Sequence, residues 1–229
     1  MNHTARPTLQ ETLNKVALLK AFLRPIAVFS LCLSGILFFL YPALRPFSDE
    51  ATLQGAAAFA SNAWMLSHVL GIIAFLLLPL GLLGLYNTIE NNKARKAVLT
   101  GVLLSYLGVG LTLPFYGAEV FALSVIGQEA LVQQSASVLE LANTIRFGPG
   151  FFMIFLGLML LALGTILIAI AIWKSGILTR WAGIPLAVGF VLYLPQYLAI
   201  QPLRIAHGLL IAIGCIWIAV GIWKHGHKG

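Results

Sequence analysis

Charge is scarce in this sequence, and acid is scarcest. Of 229 residues only 9% are Asp, Glu, Lys or Arg, with 7 acids against 14 bases, whereas soluble domains average about 25% charged residues. Cysteine is nearly missing too. Cys32 and Cys215 both lie deep in apolar runs, where free thiols serve as small packing groups and a disulfide is not expected. The chain also has no HExxH or other short metal-ligand motif, no CxxC, no phosphate-binding glycine loop and no nucleophile elbow. Ser67 beside His68 is not a catalytic dyad, because adjacent residues on a helix point in different directions.

Apolar length is what the sequence has in quantity. It is 60% hydrophobic with a mean hydropathy of +0.95, more than a soluble core of this size requires. A crossing needs about 20 apolar residues. The pattern predicts six spans, at 22–41, 62–86, 98–126, 148–173, 178–200 and 203–223. The expected fold is therefore an all-α integral membrane protein, a six-transmembrane-helix bundle. The chain divides into a cytoplasmic amphipathic N-terminal segment (1–24), a single membrane domain (25–223) and a basic cytoplasmic tail (224–229).

The net charge of +7 would point to nucleic acid in a soluble protein, but the positions of the charges matter more. With the N-terminus inside, Arg6, Lys15, Lys20, Arg24, Lys93, Arg95, Lys96, Lys174, Arg180, Lys224 and Lys228 are cytoplasmic. Only Arg45, Arg146 and Arg204 are outside, so 11 of the 14 bases fall on one side. That is the positive-inside pattern. It places both termini in the cytoplasm and leaves no basicity for nucleic acid to explain. The first apolar run follows about 24 polar and amphipathic residues and lacks a small-x-small cleavage site, so it is expected to be a retained helix. Ahead of it, Leu9, Leu13, Val16 and Leu19 in LQETLNKVALLKAFLR share one helical face, as in a short interfacial helix. The expected location is the plasma membrane, and a bacterial inner membrane fits the compact chain.

Two outer loops carry helix signals. Ser48 precedes Asp49 and Glu50, which predicts a helix start there. Leu131, Val138, Ala142 and Ile145 form one apolar stripe in the second loop. Gly101 and Gly108, Gly157 and Gly164, and Gly214 and Gly221 recur at seven-residue spacing, which puts each pair on one face and predicts close helix packing. Residues 161–176 also align with 211–226 at 9 of 16 positions. Either a duplication or the small alphabet of apolar helices accounts for that.

The chemistry-bearing residues gather at one depth. Ser105, Thr112, Tyr116 and Glu119 form a polar stripe that ends near the outer boundary of the hydrocarbon. His68 and His207 lie a turn or two below the same surface. Arg146, Arg204, Tyr193, Gln196, Tyr197 and Gln201 crowd it. An outward-facing polar pocket is expected, with His68, Glu119 and His207 as the catalytic candidates and Arg146, Arg204, Tyr116, Gln196 and Tyr197 orienting a ligand. Three chemistries suit that set. The histidines and Glu119 could hold zinc or non-haem iron. The histidines could be axial ligands of haem, with arginines on its propionates. Alternatively Glu119 is an acid or base beside an anionic head group or diphosphate with a lipid or isoprenoid-like tail. Against these stands an ion pair, Glu119–Arg146 or Glu119–Arg204, that merely fastens helix ends. A structural subunit of a membrane complex and a small-solute transporter are the non-enzymatic alternatives. The transporter ranks lower because the inner halves of the spans carry almost no polar residues, although Pro79, Pro114, Pro185 and Pro195 offer kinks.

Overall fold

A computed structural model of the chain describes residues 8–225, apart from the side chains of Leu13, Val16 and Ala17. Arg6, Lys228 and the end of the basic tail, along with Leu13 and Val16 of the amphipathic stripe, lie outside what is described. Every element is helical: α1 (Leu9–Leu44), α2 (Leu53–Phe59), α3 (Asn62–Thr88), α4 (Asn92–Val132), α5 (Glu140–Arg146), α6 (Pro149–Ser175), α7 (Ile184–Val191) and α8 (Gln201–His225). Short 3-10 turns occupy Ala136–Leu139, Arg180–Gly183 and Pro195–Leu198. Five helices, α1, α3, α4, α6 and α8, are long and apolar enough to cross a membrane.

Helix starts follow local chemistry. Thr8 and Glu11 form a reciprocal capping box at α1. Ser61 accepts from Trp64 N at α3, and Asn91 accepts from Lys93 N and Ala94 N at α4. The amphipathic N-terminal stretch is not a separate element: its residues form the first turns of α1, which runs on unbroken. Pro79 and Pro114 likewise sit inside continuous helices.

The stretch expected at 178–200 is built differently. Gly176, in the left-handed region at φ 68°, ends α6 in the conformation glycine tolerates best. Pro185 sits in the first turn of α7, where its missing N–H costs nothing. Pro195 cannot donate to Val191, and its ring would clash with that carbonyl. The helix therefore stops at Val191, and a 3-10 turn follows. The interrupted segment nonetheless tracks α8 from end to end. Leu178 packs on Gly221, Leu186 on Gly214 and Gly189 on Ile211, and the Tyr197 carbonyl accepts from Arg204. From Arg204 to Gly221 is about 25 Å of helix.

The neighbours close a ring, in the order α1, α3, α4, α6, α7 and α8, with α8 back on α1. Glycines set the tightest crossings. A Cβ on Gly108 would lie 2.5 Å from Gly157 O, and one on Gly101 2.6 Å from Gly164 O, so the glycine pairs of α4 and α6 face each other. Inside the ring sit Phe38, Phe75, Tyr116, Phe190 and Tyr193, all buried, with Phe38 edge-on to Phe75 at 4.9 Å.

α4, at 41 residues, is about 60 Å long, roughly twice the hydrocarbon thickness of a bilayer. Its last turns leave the bundle and carry a cap with its own small core, in which Phe59, Trp64, Leu123, Leu139 and Ala142 are buried and Leu131, Val138 and Ile145 pack against them. The apolar stripe of the second outer loop is thus brought together. The first loop differs from expectation, since α2 starts at Leu53 after Thr52, not at Ser48. Residues 49–52 instead form a turn in which Thr52 donates to Asp49 O, and this aims Glu50 back at the bundle.

Candidate functional site

The cap sits on a chain of alternating charges. Arg146, in the last turn of α5, grips Glu119 of α4 with two hydrogen bonds, Nε to Oε1 at 2.6 Å and Nη2 to Oε2 at 2.8 Å. Its third nitrogen, Nη1, donates to Glu50, and Glu50 takes Arg45 at the end of α1 at 2.6 Å. Two guanidinium groups and two carboxylates are therefore neutral as a set. Aromatic faces cover them: Arg45 lies 4.4 Å over Trp64, and Arg146 lies 5.3 Å over Phe59. Trp64 also donates through Nε1 to Glu119 O at 2.7 Å, tying the first turn of α3 to α4.

Burial alone would push the Glu50 carboxyl up, but Arg146 and Arg45 outweigh it and hold the group below its usual value. Burial would lower the Arg146 guanidinium, and Glu119 and Glu50 reverse that and raise it. Both groups are charged at neutral pH.

His68 borders this network without joining it. Its Nδ1 lies 2.8 Å from Trp64 O, which assigns the ring proton to Nδ1. Nε2 then faces Glu119 Oε2 at 3.7 Å, beyond hydrogen-bond range. Ser67 donates to Trp64 O at 2.9 Å, with its Oγ 3.5 Å from His68 Nδ1. Lower on the stripe, Ser105 and Thr112 donate to carbonyls of their own helix. They are satisfied, and they offer no polar path inward.

The other predicted residues form a second group across the bundle. His207 Nε2 lies 2.7 Å from Gly189 O, and its ring meets Tyr193 at 5.2 Å. Tyr116 bridges the groups, 2.9 Å from the Tyr193 hydroxyl and 3.2 Å from that of Tyr197. Arg204 does not reach Glu119: Nε donates to Ala199 O and Nη2 to Tyr197 O, and the guanidinium lies 5.0 Å over Phe47. Two small cavities open between α1 and this group. Tyr41, Arg45, Gln196, Tyr197, Gln201 and Arg204 line one. Tyr41, Tyr193, Gln196, Arg204 and His207 line the other. Each is about 10 Å³, room for about one water. No carboxylate lines either, and Nε of Arg45, a lining residue of the first, is buried without a hydrogen-bond partner.

A metal does not fit the residues as they stand. His68, Glu119 and His207 are expected to act as a set, but both Glu119 oxygens are held by Arg146, and Tyr116 and Tyr193 stand between the two rings. Among the described residues, no group of three His, Cys, Asp or Glu is placed to hold an ion. The same separation removes a two-histidine haem site.

Sequence reading overlooked the parts of Glu50, Arg45 and Trp64 in this layer. Glu50 reads as a helix-start acid, and the turn that redirects it leaves no periodic trace. A tryptophan four residues before a buried histidine at a helix start was the one available hint.

Fold and site together define an all-helical, multi-pass protein of membrane type with a capped layer of paired charges at one end. No family model matches the chain, and no curated protein or solved structure matches it.

Proposed function

We propose that this is a six-crossing membrane protein, with both termini cytoplasmic, that binds an anionic amphiphile at its outer face in the cleft between α1 and α8. Support for six crossings comes from the run of 178–197 along α8. The ends of α6 and α8 lie at the same end of the bundle, so the chain must return between them. Support for the orientation comes from charge. At the end holding the start of α1, Lys15, Lys20, Arg24, Lys93, Arg95, Lys96, Lys174, Arg180 and Lys224 outnumber Glu11 and Glu90, 9 against 2. At the other end Arg45, Arg146 and Arg204 meet Asp49, Glu50, Glu119, Glu129 and Glu140, 3 against 5. A bacterial plasma membrane suits that asymmetry.

The binding reading rests on one observation: Arg45, whose Nη2 holds Glu50 and whose buried Nε has no hydrogen-bond partner, lines a cleft with Arg204, Gln196 and Gln201, and no carboxylate is among the lining residues. Two guanidinium groups with amide donors match the oxygens of a phosphate or carboxylate head group. Exposed Leu203 and Ile200 offer a path for its tail. The cleft opens by a side-chain shift when the head group replaces water. Binding rather than acid–base chemistry is favoured because both Glu119 oxygens are already engaged.

The test is thermal unfolding in detergent with a long-chain alkyl phosphate or the matching alcohol. Stabilisation by the phosphate alone, lost in Arg204→Gln, supports the reading. Equal effects of phosphate and alcohol, or an unchanged response in Arg204→Gln, would sink it.

A further inference from the structure

A cavity far larger than the two of the polar layer lies elsewhere among the described residues. It lies at the opposite, base-rich end, about 160 Å³, between the start of α1 and the ends of α3 and α8. Lys20 and Arg24 line it from α1, Asn87 and Thr88 from the end of α3, Glu90 from the loop that follows, and His225 from the last turn of α8. It is large enough for a phosphate group, and about sixteen times the volume of either outer cavity (160 against 10 Å³).

The donors suit a phosphate diester. Lys20 has no carboxylate within 4 Å among the described residues, although Glu90 shares the cavity, so the charge on its walls is two cations against one acid before His225 is counted. Asn87 and His225 add N–H donors, while Thr88 is turned back onto Gly84 O. Gly84 lets α1 and α3 close the cavity floor, since a Cβ added to it would lie 2.2 Å from the Ala27 Cβ. Outside it, Phe22 and Ile26 of α1 and Trp223 of α8 are exposed and form an apolar flank.

We infer that this cavity holds the phosphate of an anionic phospholipid of the inner leaflet, with Lys20 and Arg24 as its charge partners and the acyl chains lying along Phe22, Ile26 and Trp223. Basic pockets between spans on the cytoplasmic side are built for such head groups. A soluble phosphate would use the same charges but gain nothing from the apolar flank. Assignment to the inner leaflet rests on the proposed orientation. Occupation of the cavity does not.

The experiment uses the full chain in neutral detergent, where no leaflet exists, and titrates phosphatidylglycerol, phosphatidylcholine or inorganic phosphate while native mass spectrometry counts adducts. Expected is one tightly retained phosphatidylglycerol, favoured over phosphatidylcholine. The preference should fall at least about fivefold in Lys20→Gln/Arg24→Gln, while staying intact in Lys93→Gln, at the same end but outside the cavity, and in Arg204→Gln, in the outer cleft. If the double variant does not fold, Lys20→Gln alone should lower the preference about fivefold. Equal binding of the two lipids, or an equal loss in Lys93→Gln, overturns the site. Displacement by millimolar inorganic phosphate would overturn the lipid assignment and leave a free-phosphate site. A site lost only in the Arg204→Gln variant would instead belong to the outer cleft.

Discussion

Glu119 meets its cost of burial through Arg146. The carboxylate is 7% exposed and the guanidinium 17%, and removing one member of such a pair leaves the other charge short of a partner, which costs about 3–5 kcal/mol when nothing compensates. Arg146 keeps Glu50, so Glu119→Gln should cost less, about 2 kcal/mol, and lower the detergent melting temperature by several degrees. An unchanged melting temperature would show that the pair does not fasten the cap. Glu50 gives a pH signature of its own. Its carboxyl is held below the ordinary 4.5, so the stability it contributes is complete above that value and lost as pH falls through its depressed one. Melting temperature followed downward from neutral should therefore hold until the solution is acidic and then drop, by less in Glu50→Gln. The same drop in both proteins would remove Glu50 as its cause.

At the scale of the element, glycine marks where helices touch and where they do not. Gly108 faces the Gly157 carbonyl, whereas Gly110, two residues along α4, has nothing within 4 Å of an added Cβ. Gly108→Ala should destabilise by about 1–3 kcal/mol through forced separation of α4 and α6. Gly110→Ala, on the lipid-facing side, should be neutral or slightly stabilising because alanine is the better helix former. Thermal unfolding of the two variants side by side checks this, and equal losses would contradict the α4–α6 crossing. These contacts were legible in the sequence, since the seven-residue glycine spacing already put each pair on one face. So was the level that Glu119 shares with His68, which follows from counting residues along each helix. The break at Val191 was less legible. Pro195 is visible, but a run of apolar residues long enough to cross reads as one helix until the proline's effect on the carbonyl four residues earlier is weighed. The division of the polar layer was not legible at all. Depth can be counted from helix ends, but rotation about the bundle axis depends on which helices are neighbours. His68 and His207 share a level while Tyr116 and Tyr193 hold them apart.

For the whole molecule, the charge distribution and the closed ring point to the same topology. A five-crossing chain would have opposite termini on opposite sides, and the segment 178–197 would have to turn back on the side it entered. Its contacts run instead from Gly221 to Arg204 along α8, and the proposed sixth crossing rests on that run. Single cysteines at Ser135, between α4 and α5, and at Ser175, at the end of α6, separate the two topologies when combined with one at Ile200, ahead of α8, in a background with Cys32 and Cys215 replaced by serine and alanine. In intact cells a membrane-impermeant maleimide should modify the cysteines at 135 and 200 and reach the one at 175 only after permeabilisation. Labelling at 175 and 200 from the same side would leave 178–197 as a re-entrant segment and remove the sixth crossing. Labelling with the sides exchanged would keep six crossings, invert the orientation, and put the base-rich cavity of Lys20 and Arg24 at the outer surface, where the inner-leaflet assignment fails while the binding measured in detergent stands.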